Sequence, residues 1–209
     1  GSLFNWRLVM DPIAEQVAGH TGASCRAVSY DRPPFGLSGR PWQWQDASTD
    51  PYSLEGGVAL ARGLIQQLGL GSVVVVGHSA GAPVAVDLAA RYPELVRGLV
   101  LVAPAISVSS KGFLATADLG QLLRFGYTRA MLALDGPGLH YIRRQIRQKE
   151  KQVRLGNGTA TSDEAKRAQE ETIDGYLRPM LAHDWDKGSL SVARSWSVAQ
   201  PPSWKAVLP

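Results

Sequence analysis

At 209 residues, with 44% hydrophobic content and a formal charge of +4, the chain has the size and composition of one globular domain with a sizeable core, neither disordered nor fibrous. No uncharged apolar stretch reaches the roughly 18 residues of a membrane-spanning helix, and Gly1 to Arg7 lacks the layout of a secretory signal. The single cysteine, Cys25, excludes an internal disulfide and leaves the redox compartment open.

In chain order, Leu8 to Ala18 repeats apolar positions at helical intervals, with Gly19 as the expected stop. Cys25 to Tyr30 reads as a short strand that delivers Asp31 into the rigid, turn-rich loop Arg32 to Pro41. Trp42 and Trp44 follow on a polar stretch. Leu54, Val58, Ala61, Ile65 and Leu68 share one helical face, with Ser53 as N-cap and Gly69 to Gly71 as the stop. Ser72 to Val76 is a strand without alternation, as expected of one buried on both faces beneath crossover helices. A helix from Ala80 to Tyr92 tolerates Pro83 in its first turn, and Val96 to Val102 forms the next strand. Strand alternating with helix in this way predicts an α/β fold with a mainly parallel sheet.

From Ile106 the texture changes. Lys111 to Leu134 is apolar and helical in pieces, and a basic tract over 143–154 carries six positive residues against one negative. That tract reads as a solvated helix face. Contact with a membrane surface or a larger assembly is the alternative, whereas the absence of interleaved aromatics and of a reading motif argues against nucleic acid. Ser162-Asp163-Glu164 looks like the cap and acidic first turn of a helix ending at Leu177, before Arg178-Pro179. Such a helical region after a sheet strand reads as a lid, and Gln200 to Pro209 reads as a linker. The organisation expected is therefore a core over 1–105, a helical cap over 106–200 and a linker over 201–209.

Gly77-His78-Ser79-Ala80-Gly81 sits between the valine run and the alanine-rich helix, which is the setting a G-x-S-x-G turn requires. Glycines on both sides limit crowding, so Ser79 stands at the apex as the candidate nucleophile. The backbone N–H of Ala80, at the helix start, is the candidate oxyanion donor. His78 is adjacent in sequence, but from the turn it points elsewhere, so packing beneath the turn is the expectation rather than general-base work. Phe35, Trp42 and Trp44 are candidate substrate-binding residues, with packing or interface roles as the alternative. The four histidines are far apart and Cys25 is alone, so no metal is expected; no nucleotide loop occurs, so no cofactor is implied.

Asp31 to Ser38, Gly77 to Gly81, and Arg91 to Val102, in that order, resemble the α/β-hydrolase superfamily. The closest likeness is to the branch of epoxide hydrolases, ring-cleavage-product hydrolases and plant chloroplast hydrolases. The resemblance is strong from Phe4 to Ala105 and weak across the lid. It implies a partial α/β-hydrolase fold with a helical lid, and a serine hydrolase that cleaves an ester, thioester or comparable carbonyl through an acyl-enzyme on Ser79. An apolar or amphiphilic small-molecule ester is the substrate class implied. Relatives that open epoxides or displace halide carry aspartate at the place of Ser79, so their chemistry is disfavoured here.

Two departures qualify the likeness. The family's strand with its histidine-glycine oxyanion loop would precede Gly1, and its acid and base histidine would follow the lid. The sequence is therefore expected to be an incomplete part, at both ends, of a longer chain; the compartment stays open, with plastid and cytoplasm as the alternatives. His20, His140 and His183 are poor substitutes for the base, and Asp31 beside Arg32 reads as a turn organiser rather than a triad acid. A non-catalytic, hydrolase-like subunit or fragment acting in assembly or apolar-ligand binding is the alternative function.

Overall fold

The computed structural model describes residues 3–46, 49–105, 118–156 and 162–198. Helices are α1 (Met10–Thr21), α2 (Leu54–Gln67), α3 (Ala82–Arg91), α4 (Leu119–Ala133), α5 (Asp135–Gly156), α6 (Asp163–Leu177) and α7 (Trp185–Val198). Strands are β1 (Val73–His78) and β2 (Val96–Val102). The chain divides into two compact units, residues 1–40 with 140–189 and residues 41–139 with 190–209.

The second unit holds the sheet. β1 and β2 pair in parallel, with Val76 opposite Val100 and His78 opposite Val102. Val58, Ala61 and Ile65 of α2 meet Val84 and Leu88 of α3, and Val73, Val75 and Val96 pack against them. Full burial of a valine, leucine or isoleucine side chain stabilises by about 1.5–3 kcal/mol, so Val58, Ile65, Val84 and Leu88 anchor the sheet to its helices. Ser53 caps α2 as expected, its Oγ accepting from the Gly56 N–H at 2.9 Å. Asp87, buried in α3, pairs with Arg91 at 2.8 Å.

Several expectations are revised by the structure. The valine run is covered on one face only, because Val74, Val76, Val100 and Val102 alternate outward and are exposed. Unbroken apolarity therefore does not here mean burial on both sides. Cys25 to Tyr30 is not a strand: among the described residues it pairs with no neighbouring strand, and an extended segment without a partner makes no ladder. The sheet accordingly has two strands among the described residues, a small parallel sheet rather than an extended one. α1 runs through Gly19 and stops at Gly22, which takes the left-handed conformation (φ 67°) and donates its N–H to Ala18.

In the first unit, Asp31 organises its loop as anticipated. Its Oδ1 accepts from the Leu3 N–H at 2.6 Å, and its carbonyl accepts from the Ser38 hydroxyl. Gly36 lies flat against the carboxylate, where an added Cβ would come within 1.6 Å of Oδ2. Arg40 ties the same loop by donating to the carbonyls of Ser38 and Gly36 at 3.1 and 3.0 Å. The tract over 143–154 is helical, and its Arg143 is joined to the buried Asp186 at 2.7 Å. Ser162 caps α6 by accepting from the Ala165 N–H at 3.1 Å. Helix α7, which sequence reading did not single out, follows a left-handed Asp184 (φ 57°). The proposed linker and Ile106 to Ala117 lie outside the described residues.

Candidate functional site

β1 stays extended through His78 (φ −108°, ψ 132°) and then reverses at Ser79, whose φ is 48°. A left-handed conformation is uncommon for a residue with a Cβ and costs on the order of 1–3 kcal/mol, so the turn must be held from outside. Two N–H groups hold it. The Ser79 carbonyl accepts from Ala82, at the start of α3, and from Ala105, just past β2, the latter at 3.0 Å. Ala103, also left-handed (φ 40°), bends the chain after β2 so that Ala105 reaches the turn. The single 3-10 turn Ser79–Gly81 then feeds α3, which begins at Ala82 rather than Ala80, with Pro83 in its first turn.

The glycines of the motif differ in what they do. Gly77 is buried, and a Cβ there would meet the Ala85 Cβ at 2.8 Å and the Ala82 Cα at 2.9 Å, so β1 and α3 touch through a position that admits no side chain. Gly81 has helical dihedrals (φ −80°, ψ −18°) and nothing within 4 Å of a Cβ; it faces open space. Ser79 is half-buried, and Ala80 and Gly81 are exposed. His78 is exposed too, on the uncovered side of the sheet, rather than packed beneath the turn. This arrangement presents a hydroxyl at the mouth of a helix N-terminus, where backbone N–H groups and the helix dipole favour developing negative charge.

Trp42 and Trp44 are brought together by a residue that sequence reading passed over, Tyr52. Trp42 stacks on its ring at 5.4 Å and Trp44 meets it edge-on at 5.8 Å. Tyr52 is fully buried and donates its hydroxyl to the Pro41 carbonyl at 2.9 Å, so both indoles lean on a fixed base while keeping exposed faces. The available signal was an aromatic directly ahead of the Ser53 cap. Phe35 belongs to the other unit, half-buried in the Asp31 loop with its N–H donated to the Arg32 carbonyl at 2.8 Å. Next to that loop, desolvation by its surroundings raises the Tyr30 phenol above its usual 10.0, with Arg32 pulling the other way, although the residue keeps 38% of its surface exposed. His20 is engaged with its own helix through the Gln16 carbonyl at 2.8 Å, and His183 with Asp184 at 2.9 Å. Among the described residues, no group of three or more His, Cys, Asp or Glu could hold a metal ion.

A parallel strand, a strained serine turn and a buried helix define a strand–elbow–helix unit of the α/β type. Residues 1–144 match the family described as alpha/beta hydrolase fold, and the chain belongs to that family. It is 37% identical over 101 residues to 2-hydroxymuconate semialdehyde hydrolase of Pseudomonas sp. (strain CF600), covering 48% of this chain and 31% of that protein. It is 43% identical over 58 residues to Lipase LipV of Mycobacterium tuberculosis, covering 28% and 22%. It is 27% identical over 153 residues to the uncharacterized hydrolase YugF of Bacillus subtilis, covering 73% and 47%. The chain thus spans less than half the length of each of these curated relatives.

Proposed function

We propose that the chain carries the nucleophile of a serine hydrolase acting on esters or related acyl compounds of apolar or amphiphilic character. The observation that carries this reading is the φ of 48° at Ser79, a strained serine at a strand-to-helix reversal, held by N–H donors from Ala82 and Ala105. Family membership and the names of the hydrolase relatives support it.

In this reading the Ser79 Oγ attacks the acyl carbonyl while a general base takes its proton. The N–H of Ala80 stabilises the tetrahedral oxyanion, the alcohol leaves, and water then cleaves the acyl-enzyme. The exposed faces of Trp42 and Trp44 contribute an apolar rim. No described histidine is assigned as the base.

The test is labelling of the native polypeptide by a fluorophosphonate. Labelling that is lost in Ser79→Ala, with the fold retained, supports the assignment. A folded native protein that resists the probe overturns it in favour of the non-catalytic alternative, a hydrolase-like subunit for assembly or apolar-ligand binding.

A further inference from the structure

None of the fifteen residues of helix α4 is buried. At about 100° per residue, Leu119, Leu123 and Tyr127 fall within an arc of roughly 80°, with Gly126 and Ala130 along the same stripe. These three large side chains are 72%, 65% and 63% exposed. Arg124 lies beyond one edge of the stripe and Arg129 beyond the other, the latter with its guanidinium 5.7 Å from the Phe125 ring. Between Leu119 and Ala133 there is no carboxylate.

A helix of this length is marginal in water by itself, yet both ends are secured. Asp118 and Gln121 form a complete capping box at the start. Arg194 donates to the last carbonyls, Leu132 at 2.6 Å and Ala133 at 3.2 Å, and pairs with Asp135 at 2.8 Å. The two acids at the ends are thereby occupied, and the stripe is presented ready-formed.

We propose that α4 docks in the headgroup layer of an anionic phospholipid bilayer. An apolar stripe edged by arginines on both sides fits that interface, since the side chains of the stripe enter the acyl boundary while the guanidinium groups reach lipid phosphates and carboxylates. Charge separates this occupant from a second copy of the chain. Two such stripes face to face would bring together four arginines with no carboxylate on either helix to offset them. It also separates α4 from α1, whose exposed Ile13 and Val17 share their helix with Asp11 and Glu15. Helix α5 offers charge: among its described side chains the exposed ones, Arg144, Arg147 and Lys151 among them, carry no large apolar group. No described helix is long and apolar enough to cross a membrane, so α4 lies on the surface.

The experiment is sedimentation of the native polypeptide with vesicles of phosphatidylcholine alone, or with roughly one third phosphatidylserine. Preference for the anionic vesicles is expected, with Arg124→Gln/Arg129→Gln lowering that binding about thirtyfold at low salt and Leu123→Asp/Tyr127→Asp lowering it at least about tenfold. Arg144→Gln/Arg147→Gln on α5 is expected to change it by less than about threefold. Because the altered side chains are exposed, circular dichroism should match the parent. As a readout that does not depend on weakening, Tyr127→Trp should shift its emission to the blue on the vesicles and be quenched by brominated acyl chains. Binding that ignores the α4 changes, equal binding to both vesicle types, no binding, or a dimer dissolved by Leu123→Asp would each overturn the proposal. The outcome is independent of the chemistry at Ser79, since Ser79→Ala should sediment like the parent.

Discussion

Gly77→Ala and Gly81→Ala place one methyl group on each side of the same serine turn, and the structure predicts opposite consequences. At Gly77 the methyl would stand 2.8 Å from the Ala85 Cβ and 2.9 Å from the Ala82 Cα. Carbon atoms in contact prefer about 3.5–4.0 Å, so the start of α3 has to move by roughly 0.6 Å or more. The obstacle includes backbone, and Ala82 to Leu88 are all buried, so no flexible side chain can yield. Overpacking of this kind costs about 1–3 kcal/mol, while replacing glycine recovers about 0.4–1 kcal/mol by restricting the unfolded chain. The net loss is then up to about 2.6 kcal/mol, centred on about 1.3 kcal/mol, or a fall in Tm of up to roughly 10 °C for a chain of this size. At Gly81 the dihedrals are helical and the space is empty, so only the favourable contribution of about 0.4–1 kcal/mol applies. Thermal unfolding by circular dichroism, with urea titration as a check on cooperativity, measures both. Gly77→Ala melting at or above Gly81→Ala would refute the contact argument.

Three further outcomes are expected. Ser79→Gly should be more stable than Ser79→Ala by about 1 kcal/mol in urea titration, because only glycine relieves a φ of 48°; equal stabilities would show that the turn stores no strain. Arg143→Leu strips the cation from a carboxylate, Asp186, that is only 8% exposed, and should cost about 1–3 kcal/mol. Arg178→Leu, which breaks an exposed pair with Asp174, should cost no more than about 1 kcal/mol, and a reversed order would sink the burial argument. Finally, the hydrogen bond from Lys187 to Asp184 raises the lysine above its usual 10.5, with the charge of Asp184 acting in the same direction. A raised lysine stabilises the fold fully below that ordinary value and loses its contribution as pH climbs through the folded one. The stability difference between the parent and Lys187→Met should therefore hold steady from neutral pH and shrink only at more alkaline pH; a difference that grows there would contradict the pairing.

Local features were legible in the linear sequence wherever near neighbours decide them. The Ser53 and Ser162 caps, the one-faced pattern of α2, the proline in the first turn of α3 and the pairing-ready strands all follow from side chains acting within a few residues. The G-x-S-x-G spacing likewise placed Ser79 between a strand and a helix, since glycine spacing is a local steric property. Tertiary structure decided what depends on distant partners. Cys25 to Tyr30 has strand-like residues but no ladder to join. The valines of β1 look alike in sequence, yet only Val73 and Val75 found helices to bury them. Gly77 and Gly81 are the same residue in the same motif, distinguished only by whether α3 lies against them. Trp42 and Trp44 become a pair only because Tyr52 is buried between sequence segments that no periodicity connects. Propensity travels along the chain over a few bonds, whereas burial, contact and strain belong to surfaces that meet only once the chain has folded.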